Sequence, residues 1–208
     1  MSERDLPDGQ PWTEAQWERF LRRSDVRSAK FGELLETFRD RPDRDDIIAR
    51  EMGWDLDAEP PFDVPDPEEV DEDEVEDSAR ERRSGLESIA AFVRAQAWGR
   101  RVREGCLEGE GEEGDEDLAE ALGSGFLVAV KIAGGHGMGY EDDSLCGNIV
   151  CCRRALEAAQ RCIKALESLG ARALVPAHTL AALMAEGREV EALVQERIRD
   201  LRSRVWWE

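Results

Sequence analysis

The chain has 208 residues and a formal net charge of −20, and 41% of its residues are hydrophobic. This length accommodates one well-buried domain with an appendage, and the acidic charge disfavours contact with phosphate backbones and anionic lipids, so we predict neither nucleic-acid nor membrane binding. No apolar run reaches the roughly 18–20 residues that a bilayer-spanning helix requires. An N-terminus without signal-peptide features and five cysteines in no disulfide-like arrangement predict reduced thiols and a cytoplasmic location.

The first 54 residues predict a small helical head. Thr13 and Gln16 have the spacing of a capping box, in which the two side chains satisfy the first free amides of a helix. Aromatic and leucine side chains then recur at helical spacing, in one bent helix or two successive ones. A short helix from Asp45 to Glu51 is expected to end near Gly53. These apolar residues are too few for an independent core, so we expect residues 1–54 to dock on the rest of the chain.

Residues 55–74 predict an acidic, proline-rich linker. Between Asp55 and Asp77, thirteen residues are Asp or Glu, four are Pro, and none is Lys or Arg. Such a segment cannot bury enough apolar surface to offset its conformational entropy. A weaker alternative makes these carboxylates a mimic of a nucleic-acid phosphate array, which would require a rigid element where the prolines favour a mobile one.

Residues 75–208 predict an all-α, up-and-down four-helix bundle. Apolar residues recur there in steps of three and four, which places each set on one side of a helix that needs partner helices. The four sets are Leu86-Ile89-Val93-Ala97, Leu118-Leu122-Gly125-Ala129-Ile132-His136, Leu145-Ile149-Cys152-Leu156-Ala159-Ile163-Leu166 and Leu180-Leu183-Gly187-Val190-Val194. Short connections between such helices favour antiparallel neighbours.

The bounds of these helices follow from caps and glycines. We predict helices from about Val75 to Arg103, from near Asp115 to about Gly135, from near Ser144 to Gly170, and from Pro176 or Thr179 onward. Four glycines in the sequence GGHGMG would cost a free helix about 4 kcal/mol, so a glycine-rich turn is expected there. Gly170 is expected to end the third helix in the left-handed conformation.

The turn after the second helix holds the clearest candidate for a metal site. His136, Asp142, Asp143 and Cys146 are residue types that bind divalent transition metals, and they lie close together in the sequence. Neither histidine of the chain has a Glu three residues before it, so the pattern of carboxylate-bridged diiron bundles is absent. His136 also falls in phase with the apolar stripe, which favours a hydrogen-bonded histidine at the end of the core.

Other chemical patterns are weak. The chain has neither a GxxxxGK[ST] phosphate loop nor a GxSxG nucleophile elbow, and the cysteines of the third helix fit ordinary packing. The arginines near the C-terminus are expected to pair with the chain's own carboxylates. We expect Trp206 and Trp207 to be buried.

These observations predict a non-enzymatic helical-bundle protein that acts through protein contacts, with a protein partner or a second copy of the chain, and without a cofactor. The alternative is a metal- or cofactor-binding bundle that holds a divalent transition metal in the glycine-rich turn between His136 and Cys146.

Overall fold

The structure, a computed structural model, describes residues 10–55, 83–107 and 114–207. These residues form α-helices and connecting turns and include no strand, which confirms the prediction of an all-α chain. They divide into two compact units, one of residues 15–55 and one of residues 10–14, 83–107 and 114–207. Most of the predicted acidic linker lies outside the described residues, and the domain boundaries predicted above stay predictions.

The smaller unit contains α1 (Glu14–Thr37), from its second residue onward, and α2 (Arg44–Met52). Helix α1 is continuous, so the head's first apolar pattern belongs to one helix. Helix α2 ends at Gly53, whose φ of 68° is the left-handed conformation typical of a helix C-terminus. The rings of Phe31 and Trp54 lie 5.4 Å apart within this unit. The predicted short helix is therefore confirmed.

The larger unit contains four helices. They are α3 (Ala90–Leu107), α4 (Glu116–Met138), α5 (Asp142–Ala171) and α6 (Ala177–Arg202). Helix α5 packs against α4 and α6, and α3 packs against the same two helices. Each helix therefore has two neighbours, and the apolar residues between them form one core.

Neighbouring helices in this unit run antiparallel. Ser168, late in α5, donates a hydrogen bond of 2.6 Å to the carboxylate of Asp117, early in α4. At the other end of the pair, Gly135 of α4 lies against Asn148 of α5. The same reversed order of contacts relates α5 to α6 and α3 to α6.

The predicted apolar stripes are confirmed on α5 and α6 but are displaced on α3 and α4. On α5 and α6 the core positions include the predicted Ile149, Leu166, Leu183 and Val190, all of them buried. Helix α3 instead buries Ala91, Ala95, Trp98, Val102, Gly105 and Cys106, and α4 buries Ala121, Ser124, Gly125, Val128, Ile132 and Gly135. Helix α4 packs against α3 on one side and against α5 on another. Its buried residues therefore do not coincide with the single apolar stripe that the sequence predicts.

The first helix predicted within residues 75–208 is interrupted, so the prediction of one continuous helix is wrong. Residues 83–87 are helical, Ser88 lies in a turn, and α3 starts at Ala90. The Ser88 hydroxyl donates to the carbonyl of Gly85 at 2.6 Å, which closes this turn locally. The predicted start of that helix at Val75 lies outside the described residues.

The expected glycine-rich turn is also wrong, because α4 continues to Met138. A Cβ at Gly135 would lie 2.8 Å from the Asn148 side-chain oxygen, so this glycine lets α4 contact α5 closely. The Asn148 amide, fully buried, donates to the carbonyl of Gly139 at 3.0 Å. This close packing compensates for the low helix propensity of the glycines.

Gly170 does not end the third helix. It lies inside α5, and a Cβ there would come within 2.1 Å of a methyl group of Leu180, so α5 and α6 are closely packed at this point. The left-handed residue is instead Ala173, with φ of 56°. Helix α6 begins directly after Pro176, which agrees with the first of the two predicted starts.

Candidate functional site

The predicted metal residue His136 belongs to a hydrogen-bonded group in the larger unit. Its Nδ1 lies 2.7 Å from the hydroxyl of Tyr140, and the guanidinium of Arg197 donates to the same hydroxyl at 2.9 Å. Arg204 donates to the Tyr140 carbonyl at 3.0 Å and lies over its ring. Gly85 packs on the other ring nitrogen of His136, because a Cβ there would lie 2.9 Å from Nε2. This arrangement agrees with a histidine held by hydrogen bonds at the end of the core.

The other three predicted metal ligands lie in different environments. Asp142 and Asp143 are exposed at the start of α5, and Asp142 accepts a hydrogen bond of 3.1 Å from the indole of Trp206. Cys146 is fully buried. In the part of the chain that the structure describes, no group of three or more His, Cys, Asp or Glu side chains is placed to hold one metal ion. The structure does not bring the four residues together as a ligand set, and the metal site stays a prediction.

The cysteines of the described residues are packing residues. All five are buried as free thiols. Burial, followed by the neighbouring Cys106 and Glu120, raises the pKa of Cys162 to about 12. A thiol with such a pKa is protonated at neutral pH and is a poor nucleophile.

The arginines near the C-terminus have different hydrogen-bond partners. Arg202 forms a two-bond ion pair with Glu14, with both nitrogen–oxygen distances at 2.7 Å. Arg197 and Arg204 have no carboxylate partner among the described residues and instead contact Tyr140. Burial lowers the pKa of Arg197, but the hydrogen bond with Tyr140 raises it and the net shift is upward, so the guanidinium stays charged. Among the described residues, the predicted pairing with the chain's own carboxylates is therefore seen for Arg202 and not for Arg197 or Arg204. Most of the acidic linker, the other predicted partner, lies outside the described residues.

Burial of both C-terminal tryptophans is a wrong prediction. Trp206 is 72% exposed, whereas Trp207 packs against the core and is half-buried. The two rings form an edge-to-face pair with centroids 5.6 Å apart. Helix α6 ends at Arg202, so the two tryptophans that follow no longer continue its buried side.

An apolar groove follows the contact between α3 and α4. It has a volume of about 880 Å³. Three large apolar side chains that line it are exposed, namely Leu107 at 62%, Phe126 at 69% and Val130 at 42%. We call the groove and these bordering side chains the α3/α4 surface.

The floor of the groove is backbone. A Cβ at Gly99 would lie 2.9 Å from the carbonyl oxygen of Gly125, so the two helices nearly touch at this point. The polar side chains that line the groove are Gln96, Arg100 and Arg103. Neither arginine has an ion-pair partner among the described residues. Apolar walls with two arginines suit binding, and they supply no nucleophile or general base for a reaction.

Sequence reasoning missed this surface. The apolar stripe predicted on α4 omitted Phe126 and Val130, because apolar residues occur on every side of that helix and periodicity cannot separate the core side from the exposed side. The signal that could have found it is the row of uncharged residues at positions 119, 123, 126, 130, 134 and 137, all of them exposed.

Helix α4 is long and apolar enough to cross a membrane by length and composition alone. Its most apolar 18-residue window has a mean hydropathy of 1.4, and 33% of that window is buried. The prediction that no segment has this character is therefore wrong, because aliphatic residues and alanines outweigh the few charged residues of this helix. Core helices of soluble proteins meet the same criterion, and the absence of membrane binding stays a prediction.

Comparisons with known proteins add no relative to this description. No family model matches the chain, and searches of curated proteins and of solved structures find no similar protein. The function must therefore be inferred from the geometry.

Proposed function

We propose that the protein is a non-enzymatic helical protein that acts through protein contacts, and that the α3/α4 surface binds a second copy of the chain. We also infer that α3 to α6 form an up-and-down four-helix bundle, which a small helical head and an acidic, proline-rich linker precede. The antiparallel helix pairs support this architecture. A cytoplasmic location stays a prediction.

The exposed apolar side chains of the α3/α4 surface carry the proposal. Contiguous apolar surface on a monomer marks a contact site more often than isolated exposed residues do. Phe126 and Val130 lie one turn apart on the exposed side of α4, and Leu107 lies at the end of α3. Aromatic side chains of this kind are the usual energetic anchors of protein interfaces.

The exposed side of α4 fits contact with an identical helix. Its row consists of Ala119, Gly123, Phe126, Val130, Gly134 and Gly137. The two large residues stand at its centre, and a Cβ at any of the three glycines would have nothing within 4 Å. A two-fold interface requires one surface to complement itself. In an antiparallel pair with the axis between positions 123 and 126, Phe126 would lie against Gly123 and Val130 against Ala119 of the other copy, so large residues would meet small ones.

The size of the surface agrees with a stable dimer. A helix of 23 residues, as α4 is, has a length of about 34 Å, and packed helices lie about 10 Å apart. Helix α3, with 18 residues, is about 27 Å long, so the two neighbouring helices present a face of roughly 600 Å². This area is at the lower end of the ~600–1,000 Å² per partner that standard interfaces bury.

Charge predicts how this dimer responds to salt. Two chains of net charge −20 repel each other, whereas apolar contact is not weakened by salt. We therefore expect association to strengthen as the salt concentration rises. The main alternative occupant of this surface is an acidic helix of another protein, bound against Arg100 and Arg103. Such a helix would bind more weakly at high salt.

The test is the molar mass of the protein in solution, measured by size-exclusion chromatography with light scattering. We expect the wild type to be a dimer and Phe126→Asp to be a monomer, because the new carboxylate would be buried in the interface. Val26→Asp is the matched control, since Val26 is 72% exposed on α1 and lies in the other unit. A monomeric wild type, or equal effects of the two substitutions, would refute the second copy as the occupant of this surface.

A further inference from the structure

A second cavity of the larger unit lies beside Tyr140 and has a volume of about 500 Å³. Arg197 of α6 and Arg204, two residues beyond the end of α6, line it. Ser88 and Ile89, together with the first two residues of α3, line it from the opposite element. Apolar side chains of Ile89, Leu193 and Leu201 complete much of the wall. The cavity is separate from the α3/α4 surface, with which it shares no lining residue.

Arg197, the half-buried arginine of this cavity, has no carboxylate partner among the described residues. Its Nε is fully buried without a hydrogen-bond partner among the described residues. Its guanidinium donates to a neutral phenol, the Tyr140 hydroxyl, and to no carboxylate within the described residues. Removing a charged group from water is costly unless an opposite charge compensates it. The cavity therefore has a cationic wall that an anionic group would stabilise.

The start of α3 adds to this character. The first amides of a helix have no partner within it, and the helix dipole favours negative charge at that end. Ala90 and Ala91 bring this end of α3 to the cavity wall. The helix end supports the two arginines and would not define a site without them.

Two carboxylates limit the charge that the cavity accepts. Glu196 and Asp200 are exposed and also line it, so the formal charge of the lining side chains sums to zero. A group with one negative charge can contact the arginines without strong repulsion from these carboxylates, whereas a doubly charged phosphate meets more repulsion. A planar carboxylate also matches the fork of a guanidinium in two parallel hydrogen bonds.

We propose that the cavity between Arg197, Arg204 and the start of α3 binds a small organic carboxylate, with its apolar part against Ile89, Leu193 and Leu201. The carboxylate contacts the guanidinium groups from the cavity side, and the Tyr140 hydroxyl keeps Arg197 in place. This site is independent of dimer formation. Failure of either proposal leaves the other unaffected.

Isothermal titration calorimetry with three probes tests the site. Benzoate has the required carboxylate and apolar ring, benzyl alcohol is its uncharged counterpart, and phenyl phosphate carries more negative charge on a similar ring. Near physiological ionic strength the Debye length is about 8 Å, so distant carboxylates of the acidic chain are screened while direct contacts persist. We expect saturable binding of benzoate, weaker binding of phenyl phosphate and no binding of benzyl alcohol.

Arginine substitutions locate the binding. Arg204→Met removes an exposed side chain and leaves the core intact, and we expect at least a tenfold loss of benzoate affinity; Arg197→Met should cause a larger loss. Arg199→Met is the matched control, because Arg199 is an exposed arginine of the same helix that does not line the cavity. Absence of saturable benzoate binding, equal affinity of Arg204→Met and wild type, or tighter binding of phenyl phosphate than of benzoate would overturn the proposal.

Discussion

The contact between Trp98 on α3 and Gly187 on α6 gives a sharp test of how the core is packed. A Cβ at position 187 would lie 2.7 Å from Cζ2 of Trp98 and 3.0 Å from Cγ1 of Ile163. Trp98 is 1% exposed, and its indole N–H donates to the carbonyl of Leu183 at 2.9 Å. Since that hydrogen bond fixes the ring, the indole cannot move aside without losing it. We therefore expect Gly187→Ala to destabilise the wild-type protein.

The size of the effect follows from two opposing contributions. Overpacking a core costs about 1–3 kcal/mol, and alanine is more favourable than glycine inside a helix by about 1 kcal/mol. Because the nearest atom belongs to a ring that a hydrogen bond holds in place, the overpacking cost is expected in the upper half of that range, and the net loss in the free energy of unfolding should be about 1–2 kcal/mol. Trp98→Phe should cost about 2 kcal/mol by itself, through a lost hydrogen bond and a small cavity. It also removes the Cζ2 atom, so adding Gly187→Ala to it should be nearly neutral, because the gain of about 1 kcal/mol in helix propensity offsets the remaining contact with Ile163.

Urea unfolding of the wild type, both single variants and the double variant measures this coupling. Far-UV circular dichroism is the suitable signal, because the six tryptophans would complicate a fluorescence comparison. The two substitutions should deviate from additivity by about 1–2 kcal/mol, with Ile163 keeping part of the cost in both backgrounds. Additivity within about 0.5 kcal/mol would mean that Trp98 and Gly187 do not touch, and the assigned contact between α3 and α6 would be wrong.

Three further predictions concern the carboxylate of Asp115, the buried cysteines and the alternative metal site. Hydrogen bonds from Arg172, and then from the amide of Leu118, lower the pKa of Asp115 from 3.8 to about 2, so its contribution to stability is complete above the ordinary value and is lost as the pH falls towards 2. Asp115→Asn should make the melting temperature less sensitive to acid across that interval; an unchanged acid dependence would contradict the assigned pairing. A thiol-reactive dye should modify none of the five cysteines quickly in the native protein and all of them in urea, because each is buried, and one fast native thiol would count against this packing. Elemental analysis of the purified protein should find no stoichiometric iron, manganese or zinc, whereas a full equivalent lost in His136→Ala would establish the alternative metal site.

The sequence predicts the helices whose apolar residues lie on one side and fails where they lie on several sides. On α5 and α6 charged residues separate the apolar stripe from the exposed side, so spacing alone identifies Ile149 and Val190 as core residues. Helix α4 has few charges and apolar residues all round, which hides the difference between buried Val128 and exposed Phe126. Its continuation through Gly135 depends on contact with Asn148, which no local pattern reveals.

The candidate sites depend on contacts between residues far apart in the sequence. Tyr140 and Arg197 are 57 positions apart, and only the antiparallel packing of the helices brings them within hydrogen-bond distance. Tyr140 follows His136 by four positions in the sequence, but no local pattern indicates its partner Arg197. Likewise, the α3/α4 surface results from two glycines, Gly99 and Gly125, which meet across a helix crossing.

Sedimentation equilibrium over a series of salt concentrations tests the proposed self-association most directly. For the wild type we predict a species of twice the chain mass of 23.4 kDa, with a dissociation constant that falls as sodium chloride rises, and for Phe126→Asp the single-chain mass throughout. A wild type with the single-chain mass at every protein and salt concentration would contradict the account, as would a dimer that salt dissociates.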